Sequence, residues 1–562
     1  MGEVLSVYHE RVGDVPLLIA LMQRLGLPEI ADRHLGRHGH HEGVSGGTLL
    51  MVWLAYLLSH ADHRKSAVQD WAQRYPVLLE RLLRVRLRPT EFTDDRLALL
   101  LRRLSRESAW HALEAELWQN TLAVTTLPHD TIRLDATSTY GYHCVKPGSL
   151  LQLGRSKDHR PDLPQLLVMA AAIEPSGHLL GADVHPGNRA DDPCYLPLIE
   201  RVRGMLGLTG LLYVGDCKMA ALATRASIVA HGDYYLVPLP HSGRDGAVID
   251  AWIEAVIKSE APWELIWDGD EVLGAGEEFE RQLEAVILTP EPQQVSWVER
   301  VQVFRSLCLL RQQSDHLDGQ LGRAEAALSA LTPVRRSGKR LHRKEAELRQ
   351  AVAQIEAHYR VEGLLRVCCH QEKPPRGSSL PRRWVITQVR RDASAIEERR
   401  MRLGWRVQAT NTPAVRLSFT QAVVQYRGGW CLERSFHLLK DQPLGIRPLW
   451  VRRDDQIRGL THLLTLGMRL LTFIEVQVRD NVQRTGELWT NIYVGQPQRA
   501  TPRPTGPRLL DAIARADITL TRVDLGGKSR WHLTPLPPLL ERTLGCLGLS
   551  PSAYQRLVEN ST

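Results

Sequence analysis

Residues 130–138 read Asp130-Thr131-Ile132-Arg133-Leu134-Asp135-Ala136-Thr137-Ser138, a short strand with a small-residue exit. Leu166 to Ile173 (LLVMAAAI) predicts a second strand, closed by a Pro-Ser-Gly turn, and His178 to Val184 (HLLGADV) predicts a third that makes a hairpin with it. Leu211 to Asp216 (LLYVGD) predicts a buried strand that ends in an acid. Leu196 to Leu206 and Ala220 to Ala230 have helical composition, and Tyr234-Tyr235-Leu236-Val237 is strand-like. Alternation of this kind predicts a mixed α/β domain.

On the N-terminal side, residues 1 to about 125 predict helices. Leu17, Leu18, Leu21, Leu25 and Leu27 recur at near-helical spacing before Pro28. Thr93-Asp94-Asp95 precedes the apolar run Leu97 to Leu104, which predicts an N-cap and an amphipathic helix. On the other side, residues 240 to 415 break the alternation. Short β-like runs such as Trp297–Leu310 give way to a stretch rich in Ala, Leu, Glu, Gln and Arg up to Val367. That stretch predicts two long helices in an antiparallel hairpin, joined around 332–343. After the linker KPPRGSSLPRR (373–383), Trp384–Val389 and Gly404–Thr410 are strand-like again. The region reads as an insertion into the α/β domain. Thr420–Lys440 and 456–475 predict helices, and the Pro-, Gly- and Arg-rich tail from about 485 predicts only partial order before a final short helix. The division is therefore a helical N-terminal domain (1–127), an α/β domain in two parts (128–239 and 416–480), an insertion domain (240–415) and a C-terminal region (481–562).

Composition narrows the class. With 43% hydrophobic and 24% charged residues over 562 positions, the chain can bury a core, which excludes a fibrous or wholly disordered protein. Lys and Arg total 71 against 63 acids, a net charge of +8 that is compatible with a polyanionic partner. Eight Cys in 562 residues are not a disulfide framework, and the lack of a CxxC pair argues against a zinc ribbon. Cys368-Cys369-His370 suits tetrahedral ligation poorly, and His34, His38, His40 and His41 read as a solvated turn. Leu49–Leu58 is too short to span a bilayer, and Leu460–Phe473, carrying His462 and Arg469, reads as a buried amphipathic helix. The N-terminus lacks the charge pattern of a signal peptide, so the expectation is a soluble protein of the reducing cytoplasm.

Two acids, Asp135 and Asp216, stand at strand ends, and a third, Glu433, falls in a helix more than 200 residues later. Such carboxylates can hold two Mg²⁺ ions for in-line phosphoryl displacement, because hard oxygen ligands suit Mg²⁺ or Mn²⁺. Among 63 acids, spacing alone says little. The surroundings of Glu433 say more. Tyr426 lies seven residues before it, and His437 and Lys440 lie four and seven after it, spacings that keep these side chains near one helix face.

In these segments the chain resembles bacterial insertion-sequence transposases of the IS-four superfamily, in the long-chain subgroup with a large insertion. The family pattern around its glutamate is Tyr, two residues, Arg, three residues, Glu, six residues, Lys; Tyr426, Glu433 and Lys440 keep that register, while Gly429 stands at the Arg position. LDATS carries Asp135, YVGDCKMAA carries Asp216, and Gly154-Arg155-Ser156-Lys157-Asp158-His159-Arg160-Pro161-Asp162 and Pro186-Gly187-Asn188 match further family segments. The resemblance implies an RNase H-like catalytic domain with a large inserted domain, preceded by the helical domain. It implies that Asp135, Asp216 and Glu433 are catalytic and ligate Mg²⁺, with Mn²⁺ substituting. It also implies cleavage at element ends followed by strand transfer without a covalent enzyme intermediate, on double-stranded DNA, by a homodimer in a synaptic complex at the nucleoid.

Tyr426 and Lys440 are then expected on phosphate. Arg427 and Arg434 are candidates for the missing Arg, and His437 is equally a phosphate contact or a structural residue. Trp430 and Trp405 could stack on an unpaired base, although core packing is the favoured role. Arg335, Arg336, Lys339 and Arg340, at the tip of the helical hairpin, form the densest basic patch, with Arg382-Arg383, Arg390-Arg391 and Arg399-Arg400-Met401-Arg402 beyond it. Two other readings stay open: a catalytically impaired, transposase-derived DNA-binding protein, and a metal-dependent nuclease without strand transfer.

Overall fold

The first described element is a strand, Ser6–Arg11 (β1), where composition predicts helix. Its partner is the strand Thr519–Leu525, about 510 positions away in sequence (Ser6 opposes Asp524), so no local signal announces the pairing. This is a computed structural model; it describes residues 6–36, 42–241, 244–289, 291–333, 342–374, 381–525 and 528–559. The chain divides into two units. One comprises Met1–Tyr235, Val286–Val295 and Arg427–Thr562, and the other Leu236–Ala285 and Ser296–Tyr426.

In the first unit the predicted strand at 130–138 is Thr131–Tyr140 (β2). It is followed by Gln165–Ile173 (β3), His178–Pro186 (β4) and Leu212–Val214 (β5), in the spatial order β4-β3-β2-β5. The first three are mutually antiparallel, and β5 lies parallel to β2. Together with the flanking helices this is an RNase H-like arrangement. Every residue of β3 is buried, which accounts for its unbroken apolar run. A sixth strand, Tyr234–Pro238 (β6), begins in this unit, with the Tyr234 amide donating to the Leu211 carbonyl at 2.7 Å.

N-terminal and C-terminal segments share one apolar core. Leu17, Trp53 and Trp110 belong to it together with Leu463, Leu509, Leu540 and Tyr554. The tail is therefore ordered rather than loose. It holds the helices Gly506–Arg515 and Pro538–Cys546 and a strand pair that extends from β1, because its apolar residues complete a core that the N-terminal helices leave open. The helix Asp94–Leu104 starts after Thr93 as predicted, but the Thr93 side chain makes no capping hydrogen bond. Gly459 lets the helix Asp454–Thr485 approach closely, since a Cβ there would meet the Leu101 carbonyl oxygen at 1.9 Å. That helix is long and apolar enough to cross a membrane, yet 94% of its apolar window is buried inside the protein, as a core helix would be.

In the second unit, residues 236–238 of β6 pair with Gln408, Ala409 and Thr410 of the strand Trp405–Thr410, which also pairs with Glu291–Ser306. The helices Leu307–Ala330 and Glu345–Tyr359 pack on each other through Leu321, Leu328 and Val352, beside the antiparallel strands Leu365–Glu372 and Arg383–Arg391. Residues 334–341, which carry Arg335, Arg336, Lys339 and Arg340, lie outside the described residues, as do His38, His40 and His41.

Candidate active site

Parallel pairing of β2 and β5 sets Thr131 opposite Leu212, Ile132 opposite Tyr213 and Arg133 opposite Val214. Asp135 and Asp216 each lie two residues beyond the last of these pairs, so one register carries both acids to the same level. Asp135 is not at a strand end as predicted but midway along β2, which runs on to Tyr140 against β3, while Asp216 lies just past the end of β5. On its other side Asp135 faces Ala170 of β3, a small neighbour.

Each acid is held by its own partners. Asp135 Oδ1 accepts from the Ala136 amide at 2.7 Å. Asp216 Oδ1 accepts from the Tyr195 hydroxyl at 2.7 Å and from the Lys218 amide at 2.8 Å. Lys157 Nζ lies 3.0 Å from Asp191 and 3.8 Å from Asp135, and donates to the Ala136 carbonyl at 2.6 Å. Its loop is anchored by the Lys157 amide on Ser138 Oγ at 2.8 Å. Burial pushes the Asp135 carboxyl up to about 6; Lys157 and the Ala136 amide pull it down, while charge on Asp216 and Asp191 pushes it up. Burial, and then the charge of Asp216, hold the Tyr195 phenol far above its ordinary value, so it stays a donor. Lys157, Asp191 and Tyr195 had no part in the predicted site. Lys157 stands inside the quoted segment 154–162; Asp191 and Tyr195 carry no local signal at all.

Glu433 arrives differently. The predicted single helix is two, Phe419–Arg427 and Trp430–Lys440, interrupted at Gly428-Gly429. Two successive glycines make helix continuation costly, which is why the break falls there. Tyr426 thus does not share a helix with Glu433, His437 and Lys440, contrary to the predicted single face. The second helix packs on β2 and on Asp454–Thr485, burying Cys431, Leu432, Ser435, Phe436 and Leu439. Its Glu433 is exposed, and the carboxylate has no hydrogen-bond or ion-pair partner among the described residues.

The flanking cations are committed. Arg434 forms a two-pronged pair with buried Glu475 and pins the helix. Lys440 Nζ lies 2.6 Å from Asp158, which also meets Arg447 at 3.5 Å. His437 pairs with Asp441 at 2.7 Å on the surface. Arg427 is exposed, and Trp430 is 50% exposed rather than packed in a core. Trp405 does pack, edge-on to Trp263 at 5.2 Å. Cys368 and Cys369 sit on an exposed strand pair.

Residues 154–468, more than half of the chain, match the family model described as the transposase DDE domain. The chain belongs to the DDE-domain transposase family. The matched span includes Asp216 and Glu433 and begins after Asp135. No curated protein matches this transposase. Among solved structures, a piggyBac transposase synaptic complex with hairpin DNA is similar over 97% of this chain and 86% of its own, at 7% identity and a TM-score of 0.34. A likeness that weak carries no argument.

DDE transposases generally use divalent metals, and the donors here suit one in part. Asp135 and Asp216 offer hard oxygens side by side, and Asp216 Oδ2 has no hydrogen bond among the described residues. Among those residues, however, no group of three His, Cys, Asp or Glu side chains is gathered for a metal, and Glu433 does not join the strand acids.

Proposed function

We propose that this transposase cleaves DNA at the ends of its element and transfers the freed strand to target DNA, with Asp135, Asp216 and Glu433 as ligands of Mg²⁺, or Mn²⁺ in its place. The observation that carries the reading is the shared register of Asp135, midway along β2, and Asp216, just past the end of the parallel β5. A bound metal pair supplies Lewis-acid polarisation and a nucleophile at neutral pH.

The side chains prepare the site. Tyr195 and the Lys218 amide orient Asp216 through Oδ1, leaving Oδ2 for a cation. The Ala136 amide orients Asp135 in the same way. Glu433 has no ion pair among the described residues to break before it joins them. Lys440, on the Glu433 helix, presents its ammonium beside Asp158 and is the phosphate contact of choice once that carboxylate yields. The register of Tyr426, Glu433 and Lys440 supports the further proposal that the enzyme is of the IS-four superfamily and works as a homodimer on paired DNA ends at the nucleoid.

Purified protein, Mg²⁺ and a duplex carrying the element's own ends provide the test. Cleavage together with joined products is the expected result. Cleavage alone identifies a nuclease, and binding without either identifies a DNA-binding derivative. Glu433→Gln abolishes cleavage and keeps binding; cleavage that survives this change removes Glu433 from the site.

A further inference from the structure

A cavity of about 740 Å³ in the first unit is lined by Arg81, Arg84, Arg86, Arg522, Arg556 and Trp531, and belongs to none of the machinery above. Strand pairing builds its floor. Tyr8 of β1, Arg522 and Trp531 of the strand Lys528–Leu533 stand directly opposite one another in a cross-strand row. Arg522 lies 5.6 Å over the Trp531 ring, and Arg81, from the helix Pro76–Leu83, lies 3.8 Å over it. The indole therefore organises two guanidinium groups at once. Arg81 is fixed further by donating to the Leu557 and Glu559 carbonyls at 2.7 and 3.0 Å. Arg84 ends its helix with φ at 54°, turning the chain so that Arg84 and Arg86 stand exposed. Neither has a hydrogen-bond or ion-pair partner among the described residues.

Arg556 supplies an independent observation. Its Nε and Nη2 are enclosed and have no hydrogen-bond partner among the described residues. Elsewhere in this protein that same edge grips both oxygens of a carboxylate, at 2.9 and 2.8 Å in Arg160–Asp162 and at 3.1 and 2.9 Å in Arg453–Asp455. Arg556, a lining residue of the arginine-rich cavity, thus keeps an oxyanion-gripping edge unfilled among the described residues. Burial and then Arg84 lower its affinity for its proton, and burial and then Arg522 do the same for Arg81, as crowded like charges require. Two acids line the cavity against five arginines, and one of them, Glu80, already accepts from the Leu87 amide at 2.9 Å. Arg522 is partly answered by Asp524 at 3.1 Å, and the charge of Glu559 acts on Arg556.

We propose that this cavity binds the sugar–phosphate backbone of duplex DNA, gripping successive phosphates between Arg84, Arg86 and the Arg556 fork. The excess of positive charge and the room for more than one phosphate favour a polyphosphate backbone over a single small anion. The proposal rests on the DNA-acting reading above and adds a contact to it that is built partly from the C-terminal region. It assigns backbone contact, not base reading, to these side chains.

The test is fluorescence anisotropy of the full-length protein against a labelled random-sequence duplex over a series of salt concentrations. The double variant Arg84→Gln, Arg86→Gln weakens binding by about tenfold and lowers the log–log salt slope by about two, one for each lost phosphate contact. Arg556→Gln weakens it comparably. Melting temperatures report on folding, and since Arg84 and Arg86 are exposed and have no partner among the described residues, the double variant decides the matter even if Arg556→Gln folds poorly. Unchanged affinity and slope in a folded double variant overturn this site and leave the catalytic reading standing. A wild-type protein that binds no duplex overturns both. If polyglutamate binds the wild type as tightly as DNA and loses affinity in the double variant while DNA does not, the partner is an acidic polypeptide and the DNA assignment fails.

Discussion

Asp135 and Asp216 owe their placement to backbone ladders; Glu433 owes its placement to side chains. The strand acids share a register that a shift of one residue would destroy, with β2 paired on both sides. The Glu433 helix is broken from its predecessor by Gly428-Gly429 and is held by an apolar face and by the pair between Arg434 and Glu475. The strand acids are accordingly half-buried and partnered, while Glu433 is exposed and has no side-chain partner among the described residues. The difference teaches that two thirds of the proposed triad is built by the sheet, and the last third depends on where one short helix rests.

The largest effect should come from the acids themselves. Asp135→Asn and Glu433→Gln are each expected to lower cleavage by roughly a thousandfold or more. If only the strand acid proves indispensable, the helix does not complete the site. Next comes the anchoring of each part. Glu475→Ala leaves Arg434 without its carboxylate, takes the 3.1 Å partner of Arg479 and the 2.9 Å acceptor of the Gly506 amide, and should cost about 3–5 kcal/mol in denaturant unfolding. Glu174→Ala should cost a similar amount by removing the carboxylate that pairs with Arg133 of β2, which is 6% exposed. The distinguishing result is cleavage: at matched stability only the Glu475 variant, which frees the helix, should lose activity. Wild-type rates in both would show that the helix needs no anchor.

Acid should act on the sheet and the core helix behind it before it acts on the surface. His178 begins β4, and His462 of Asp454–Thr485 stacks on Trp110 at 4.2 Å; burial draws both down from 6.5 to about 3. The native state keeps them neutral while the unfolded chain takes up protons below about 6.5. Their stability contribution is therefore lost as pH falls from about 6.5 towards 3, by about 3 kcal/mol each at pH 4. Unfolding curves at pH 7 and pH 4 should show the loss, and His462→Gln should flatten it. The smallest effect concerns Lys157. Its ammonium, 3.0 Å from Asp191 and 3.8 Å from Asp135, competes with any cation for the strand acids, so Lys157→Met should tighten Mn²⁺ binding about tenfold, read by electron paramagnetic resonance. Unchanged affinity would show that this lysine does not guard them.

Much of the α/β sheet was legible because its strands are local events. LLVMAAAI is apolar throughout because it is covered on both faces, and the apolar run of LLYVGD marks β5, which ends at Val214, two residues before the acid. β1 was not legible, since its partner lies at the other end of the chain, nor was the order of the tail, whose Leu509, Leu540 and Tyr554 read as scattered until they meet the N-terminal helices. The predicted single face from Tyr426 to Lys440 failed at two glycines that spacing rules pass over.

By itself, then, the amino-acid order determined the strand alternation, the two strand acids and the helix that carries Glu433, because periodicity and turn chemistry act over a few residues. Tertiary structure alone decided that Lys157, Asp191 and Tyr195 would crowd those acids, that Arg434 would serve the fold, and that arginines at 81, 84, 86, 522 and 556 would share one cavity. Charges separated by hundreds of residues acquire a common field only when packing brings them within a few ångströms of one another.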